Sequence, residues 1–182
     1  MKTFYYLFLF LFTYMFVSCD SVDITFEEDK DLKEAKGKFE TERTAWERQN
    51  IKNYQFSYTY DSDACPYKNF IIQISVEENK NPVIIDPELL PTILASKLTD
   101  YPENIPLKSI SHIFDLINYN FDFLESVKNG TYDGHDIKSV YIDIKYHPKY
   151  HYPTTFDMKI RYADKYIDGG GGFEFQVLEF IP

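Results

Sequence analysis

Apolar and polar positions alternate along much of this chain, and the alternation predicts six β-strands. The clearest run spans 53–61, where Tyr54, Phe56, Tyr58 and Tyr60 share one face and polar side chains occupy the other. A period of two with one apolar face is typical of a strand that is buried on one side. Further strands are predicted over 70–77, 82–85, 140–146, 156–162 and 173–179.

Two other segments repeat their apolar positions every three or four residues, which predicts helices. The first helix is predicted over 31–50, with Trp46 in its last turn. The second is predicted to begin at a cap formed by Ser109 or Ser111 and to end at Asn129 and Gly130, since glycine tolerates the left-handed conformation that closes helices. The stripe of the first helix is Leu32, Ala35, Phe39, Arg43 and Trp46, and that of the second is Ile110, Ile113, Phe114, Ile117, Phe121 and Leu124.

The predicted element order is α-β-β-β-α-β-β-β. Strands that follow one another, with helices set to one side, are the signature of the α+β class. We therefore expect an antiparallel sheet meander of about six strands with two principal helices packed on one side, forming a single domain over 32–182. The proline-rich stretch 86–106 is expected to be irregular with one short helix around 93–98, and Asp168 with Gly169 to Gly172 is expected to form a flexible reversal.

The N-terminus carries an uncharged, mostly apolar run from Phe4 to Val17, preceded by Lys2 and followed by Ser18 and Cys19. This order is typical of a secretory signal, and the run is too short for a comfortable membrane span. A cysteine at the cleavage point resembles the signal of bacterial lipoproteins. The resemblance implies that 1–18 is a cleaved signal peptide and that Cys19 is lipidated.

Three other interpretations of this segment remain open: an ordinary cleaved signal, an uncleaved anchor helix, or a buried helix. The lipoprotein interpretation places the protein in the bacterial cell envelope, on the periplasmic or surface side, attached to a membrane by the lipid on Cys19. The acidic stretch 19–31 is then expected to be a solvated tether between the lipid and the domain.

Charge and composition narrow the classes of partner. The formal net charge is −10, so nucleic acid and anionic lipid surfaces should repel the chain. Aromatic residues make up 18% of the sequence. Most are expected in the sheet core, although tyrosine-rich surfaces also suit a protein or glycan partner. No cofactor is predicted. Cys65 is expected to be a small buried apolar residue, with pairing to another molecule or a nucleophilic role as alternatives.

The segment from Tyr146 to Thr154 resembles a motif of domain of unknown function 6174, a family of small secreted or lipid-anchored bacterial proteins. Its Tyr-Asp-Pro-x-Tyr-Gly-Tyr-Pro pattern is matched except at His147 and His151, which replace aspartate and glycine. Shorter similarities occur at Trp46 with 53–58, at 109–117 and at 163–173. The resemblance implies the fold and export from the cytoplasm, and it implies no activity.

The same segment contains the candidate site residues. Tyr146, Tyr150 and Tyr152 are candidate binding residues. His147 and His151 are candidate metal ligands, together with Asp143 or Asp157, because imidazole and carboxylate groups are common metal ligands. The alternative is a rigid turn whose histidines are solvated or stacked on tyrosines.

The function that the sequence favours is a non-enzymatic, lipid-anchored binding or accessory module with an aromatic-rich surface for an envelope protein or glycan. The alternative is a metal-dependent envelope hydrolase that uses His147 and His151. A third possibility is an inhibitor-like or assembly-accessory domain that presents a loop to its partner.

Overall fold

The computed structural model describes residues 29–62, 70–87, 90–91, 105–131, 137–162 and 172–182. The helices within these ranges are α1 (Asp29–Gln49) and α2 (Ile110–Lys128). The strands are β1 (Tyr54–Ser62), β2 (Ile71–Val76), β3 (Val83–Ile85), β4 (Ile137–Tyr146), β5 (Pro153–Tyr162) and β6 (Gly172–Ile181).

The described strands form one six-stranded sheet in the order β3-β2-β1-β6-β5-β4, and every neighbouring pair is antiparallel. The sheet consists of two three-stranded meanders that meet where β1 pairs with β6. The first and the last strand therefore lie at its centre. The predicted α+β class and element order are confirmed.

Both helices pack against one face of the sheet, which we call the inner face. The Trp46 ring of α1 lies edge-on to Tyr54 of β1 and Phe180 of β6, at 5.8 and 5.7 Å between centroids. Phe39 of α1 contacts Phe121 of α2 at 5.3 Å. The apolar halves of the alternating strands thus face the helices, which is where they escape water. The opposite face, called the outer face, carries the polar halves.

Two buried tyrosines of β1 position the start of α2. The Tyr54 hydroxyl accepts a hydrogen bond from the Ile110 N–H at 2.9 Å, and the Tyr58 hydroxyl accepts one from the Leu107 N–H at 3.2 Å. Burial raises the pKa of Tyr54. These hydroxyls satisfy backbone groups that would otherwise be buried without partners.

The predicted ends of the second helix are confirmed. Ser109, rather than Ser111, is the N-cap, and its Oγ accepts a hydrogen bond from the His112 N–H at 3.0 Å. The helix ends at Asn129, and Gly130 follows with a φ of 66°. A left-handed residue just beyond the last turn is the usual glycine stop.

Several predicted boundaries differ from the observed ones. Helix α1 begins at Asp29, so it includes the last residues of the segment predicted to be an acidic tether. Acidic residues have ordinary helix propensity, so charge alone did not mark the boundary. Strands β4 and β5 begin at Ile137 and Pro153, before their predicted starts, because the register of the β4–β5 pair shifts between Ile137 and Ser139 and between Lys145 and Tyr146, which interrupts the alternation there.

Gly172 was expected in the reversal but is the first residue of β6, opposite Lys159 of β5. A Cβ at this position would lie 2.2 Å from the Met158 carbonyl oxygen. Glycine is therefore required by the close approach of the two backbones.

Strand β6 contains an irregularity that the alternation of apolar and polar residues did not predict. Its register with β1 shifts between Ser57 and Tyr58. Val177 and Phe180, three residues apart, consequently both face the core, and Leu178 between them is 45% exposed. One extra residue in one strand of a pair produces this local shift.

Several predictions concern residues outside the described ranges. They are the signal peptide over 1–18, lipidation of Cys19, the environment of Cys65, the short helix around 93–98 and the reversal before Gly172.

Candidate functional site

The segment that connects β4 to β5 contains the sequence-predicted site residues. The His147 N–H donates to the Tyr152 carbonyl at 2.9 Å, and the His151 N–H donates to the His147 carbonyl at 2.8 Å. These bonds close a compact turn with Pro148 near its tip. The turn lies on the inner-face side of the sheet, where it contacts α1.

His147 stabilises this turn through one ring nitrogen. Its Nδ1 accepts hydrogen bonds from the backbone N–H groups of Lys149 and Tyr150, at 3.2 and 3.1 Å. A neutral ring in this role carries its proton on Nε2. The ring also stacks on Tyr152, with centroids 5.1 Å apart and planes 23° from parallel. His147 therefore has both a turn-capping and a packing role.

His151 and the residue before it connect the turn to α1. His151 Nδ1 lies 2.7 Å from Glu42 Oε2, and Gln49 Nε2 donates to the Tyr150 carbonyl at 2.7 Å. His151 has a φ of 64°. This left-handed conformation is uncommon for residues other than glycine but is enriched in histidine. The contact with Glu42 fixes the His151 side chain against α1.

The three candidate tyrosines take part in packing. Tyr152 is 4% exposed, and its ring contacts Phe180 at 4.8 Å and Trp46 at 6.3 Å. Tyr150 is half-buried and contacts Phe180 at 5.3 Å. Tyr146 is also half-buried, and its hydroxyl is buried without a partner among the described atoms. Burial raises the pKa of Tyr146, and the negative charge of Glu42 adds to that rise.

The structure does not bring the four candidate metal ligands together. His147 and His151 lie in the turn near α1, whereas Asp143 and Asp157 line a hollow on the outer face. Alternation along β4 explains the separation, since Asp143 points away from the face that Ile144 and Tyr146 share. Within the described ranges, no group of three or more His, Cys, Asp or Glu side chains is arranged to hold a metal ion.

The outer face carries a feature that the sequence did not reveal, a row of carboxylates across four neighbouring strands. Asp61 of β1 is in register with Glu174 of β6, Glu174 with Asp157 of β5, and Asp157 with Asp143 of β4. We call these four residues the acidic row. Neighbouring strands lie about 4.8 Å apart, so successive members of the row are direct neighbours.

Two lysines accompany the acidic row. Lys159 Nζ lies 2.8 Å from Asp157 Oδ2, and Lys145 Nζ lies 3.9 Å from Asp143 Oδ2. The hydrogen bond to Asp157 is the main cause that raises the pKa of Lys159. These two ion pairs partly neutralise Asp157 and Asp143.

A second polar row runs beside the first. Thr59, Gln176, Thr155 and Lys145 face one another across the same four strands. The two rows line a hollow of about 380 Å³ that opens to solvent. The Thr155 Oγ1 atom is buried there with no partner among the described groups. The hollow thus offers carboxylate, hydroxyl and amide groups to a ligand.

A signal for the acidic row existed in the sequence. Asp61, Asp143, Asp157 and Glu174 all occupied the polar half of a predicted alternating strand. Their common face could be predicted from the alternation. Their alignment could not, because it depends on which strands pair and in which register.

A scan of family models, a search of curated proteins and a search of solved structures each found no match to this chain. The resemblance to domain of unknown function 6174 therefore stays a prediction. Neither described helix is both long and apolar enough to span a bilayer.

Proposed function

We propose that this protein is a lipid-anchored protein of the bacterial cell envelope that acts as a non-enzymatic binding module. The anchor is the lipid on Cys19, which follows cleavage of the signal peptide 1–18. The apolar run that ends at Cys19 supports this proposal, as does the resemblance of the domain to a family of exported proteins.

Metabolic labelling of cells with a palmitate analogue tests the anchor. The wild-type chain should take up the label and fractionate with membranes, and Cys19→Ala should lose both properties. Cys65→Ser is the matched control and should keep both. Absence of label on the wild-type chain, or equal labelling of Cys19→Ala, would contradict the anchor.

We propose further that the outer face binds a positively charged, extended segment of a partner protein. The acidic row is the observation that carries this proposal. Like charges that face each other on neighbouring strands are destabilising, by a few tenths of a kcal/mol to about 1 kcal/mol per pair. Such a cost is typical of a surface that is kept for binding, where local interactions conflict with stability.

The surroundings of the acidic row fit an extended partner. Thr59 and Gln176 lie one row away and offer hydrogen bonds that a peptide backbone can accept or donate. Tyr141 and Ile71 are 53% and 51% exposed on the same face and offer apolar contacts at its margins. A cationic segment would neutralise the row and cover these side chains together.

Binding of a fluorescent oligolysine peptide to the full chain tests the acidic row. Glu174→Gln removes one charge at the middle of the row and should weaken binding about fivefold, which corresponds to about 1 kcal/mol. Glu34→Gln is the matched control, because it makes the same change on an exposed position of α1. It should leave the affinity nearly unchanged.

Salt provides a second test of the same surface. Binding should weaken as ionic strength rises, since exposed charges are screened. Equal affinities for wild type, Glu174→Gln and Glu34→Gln would contradict the proposal. So would a neutral oligosaccharide that binds more tightly than oligolysine, because the face would then recognise glycan.

A further inference from the structure

Strand β4 forms one edge of the sheet and is the longer of the two edge strands. It has ten residues, against three in β3. On one side β4 pairs with β5, and within the described part of the chain no strand pairs with its other side. A long edge strand presents backbone N–H and C=O groups that another strand can bind.

The hydrophobic core is incompletely covered at this edge. Val140, Ile142 and Ile144 of β4 point to the inner face but are only partly buried. Phe156 and Met158, their neighbours on β5, are 1% and 5% exposed. A strand added beside β4 would extend the core over these three aliphatic side chains.

The charges on β4 indicate which kind of strand is complementary to its free edge. Asp143 and Lys145 lie on the outer face of the strand, and their charged groups are 3.9 Å apart. If two copies of β4 pair in antiparallel fashion about Ile144, Asp143 of each copy faces Lys145 of the other. The result is a square of four alternating charges, and an arbitrary strand would lack this match.

The neighbouring residues are compatible with this register. Ile144 would face its own copy, and Ile142 would face Tyr146 of the second copy, so apolar residues meet on the inner face. Val140 would face Pro148, which has no N–H and ends the ladder there. The paired segment is therefore 142–146.

We propose that β4 pairs with β4 of a second copy through the segment 142–146, about a two-fold axis at Ile144. The product is a symmetric dimer whose two sheets join into one, the commonest symmetry of protein oligomers. This interface shares Asp143 with the acidic row but does not rest on the binding of a cationic partner. Glu174, which tests the acidic row, lies two strands away from β4, so the two proposals can fail separately.

Cysteine cross-linking of the full chain in cells tests the register, in a Cys65→Ser background. Ile144→Cys should give a disulfide-linked dimer on a non-reducing gel, because residue 144 faces itself across the axis. Ile142→Cys is the matched control and should give little, since residue 142 faces residue 146. No dimer from Ile144→Cys, or equal dimer from Ile142→Cys, would overturn the proposal.

Charge variants test the interface without relying on cysteine chemistry. Lys145→Glu should weaken the dimer about tenfold in analytical ultracentrifugation, because two opposite-charge pairs become like-charge pairs. Adding Asp143→Lys to Lys145→Glu should restore it. Lys159→Glu, which makes the same change on β5, should leave it intact. A wild-type chain that sediments only as a monomer, or a double variant that fails to recover, would overturn the proposal.

Discussion

The Tyr146 side chain makes a specific prediction at the scale of a single residue. Its hydroxyl is buried with no hydrogen-bond partner among the described atoms, which costs about 1 kcal/mol or more. Tyr146→Phe should therefore raise the free energy of unfolding by about 1 kcal/mol in urea titrations. Tyr54→Phe is the matched comparison and should lower it by about 1 kcal/mol, because its hydroxyl bonds the Ile110 N–H. Equal destabilisation by both variants would contradict the assignment.

The environment of His112 predicts how the free energy of unfolding depends on pH. Burial is the main cause that lowers its pKa, and the nearby Lys108 charge adds to the effect. The unfolded chain then binds the proton more readily than the folded chain does. The His112 contribution to stability is complete above the ordinary pKa of about 6.5 and is lost as the pH falls below it.

His112→Gln tests this prediction. The free energy of unfolding is compared at pH 7.5 and pH 5.5, which lie on either side of the ordinary histidine pKa of about 6.5. The decrease between the two pH values should be smaller in the variant than in the wild type. Urea unfolding at the two pH values measures it. An unchanged pH dependence would show that His112 does not titrate differently in the two states.

At the residue scale, the alternation predicts which face a side chain occupies but not what it contacts. The sequence could place Asp143 and Tyr146 on opposite faces of a strand. It could not show that His151 meets Glu42, because that contact joins residues 109 positions apart. The roles of His147 and His151 in the turn depend on such contacts rather than on their spacing.

At the scale of helices and strands, Gly172 of β6 and Gly37 of α1 should respond in opposite ways to substitution by alanine. Gly172→Ala should destabilise the pairing of β5 with β6, because the new Cβ would approach the Met158 carbonyl oxygen to 2.2 Å. A cost of about 2 kcal/mol or more is expected from such overpacking. Gly37→Ala, on an exposed position of α1 with no atom within 4 Å, should instead stabilise by about 1 kcal/mol. Thermal unfolding measures both, and a neutral Gly172→Ala would contradict the close approach.

The existence of the elements could be predicted well because each depends on local periodicity. Ser109 and Gly130 marked the ends of α2, and the tyrosines of β1 marked its strand. The order of the sheet could not be predicted in the same way. Its central pair joins β1 to β6 across most of the chain, and no local pattern specifies which strands meet.

On the scale of the whole molecule, the β1–β6 pair joins the two meanders into one sheet with one core. The same pair places Asp61 next to Glu174 and so makes the acidic row continuous. The charged outer face is therefore a consequence of the long-range topology. Its members come from four strands that are separate in the sequence.

Thermal unfolding of wild type and Glu174→Gln, each with and without oligolysine, is the sharpest test of the acidic row as a binding surface. The substitution should stabilise the free protein and weaken its stabilisation by the peptide. Without the peptide, Glu174→Gln should raise Tm by about 2–4 °C, since it relieves about 1 kcal/mol of repulsion within the acidic row. With the peptide, the rise in Tm should be smaller for Glu174→Gln than for the wild type, because the variant binds the peptide more weakly. A lower Tm for the variant, or an equal rise for both proteins with oligolysine, would contradict a binding role for the acidic row.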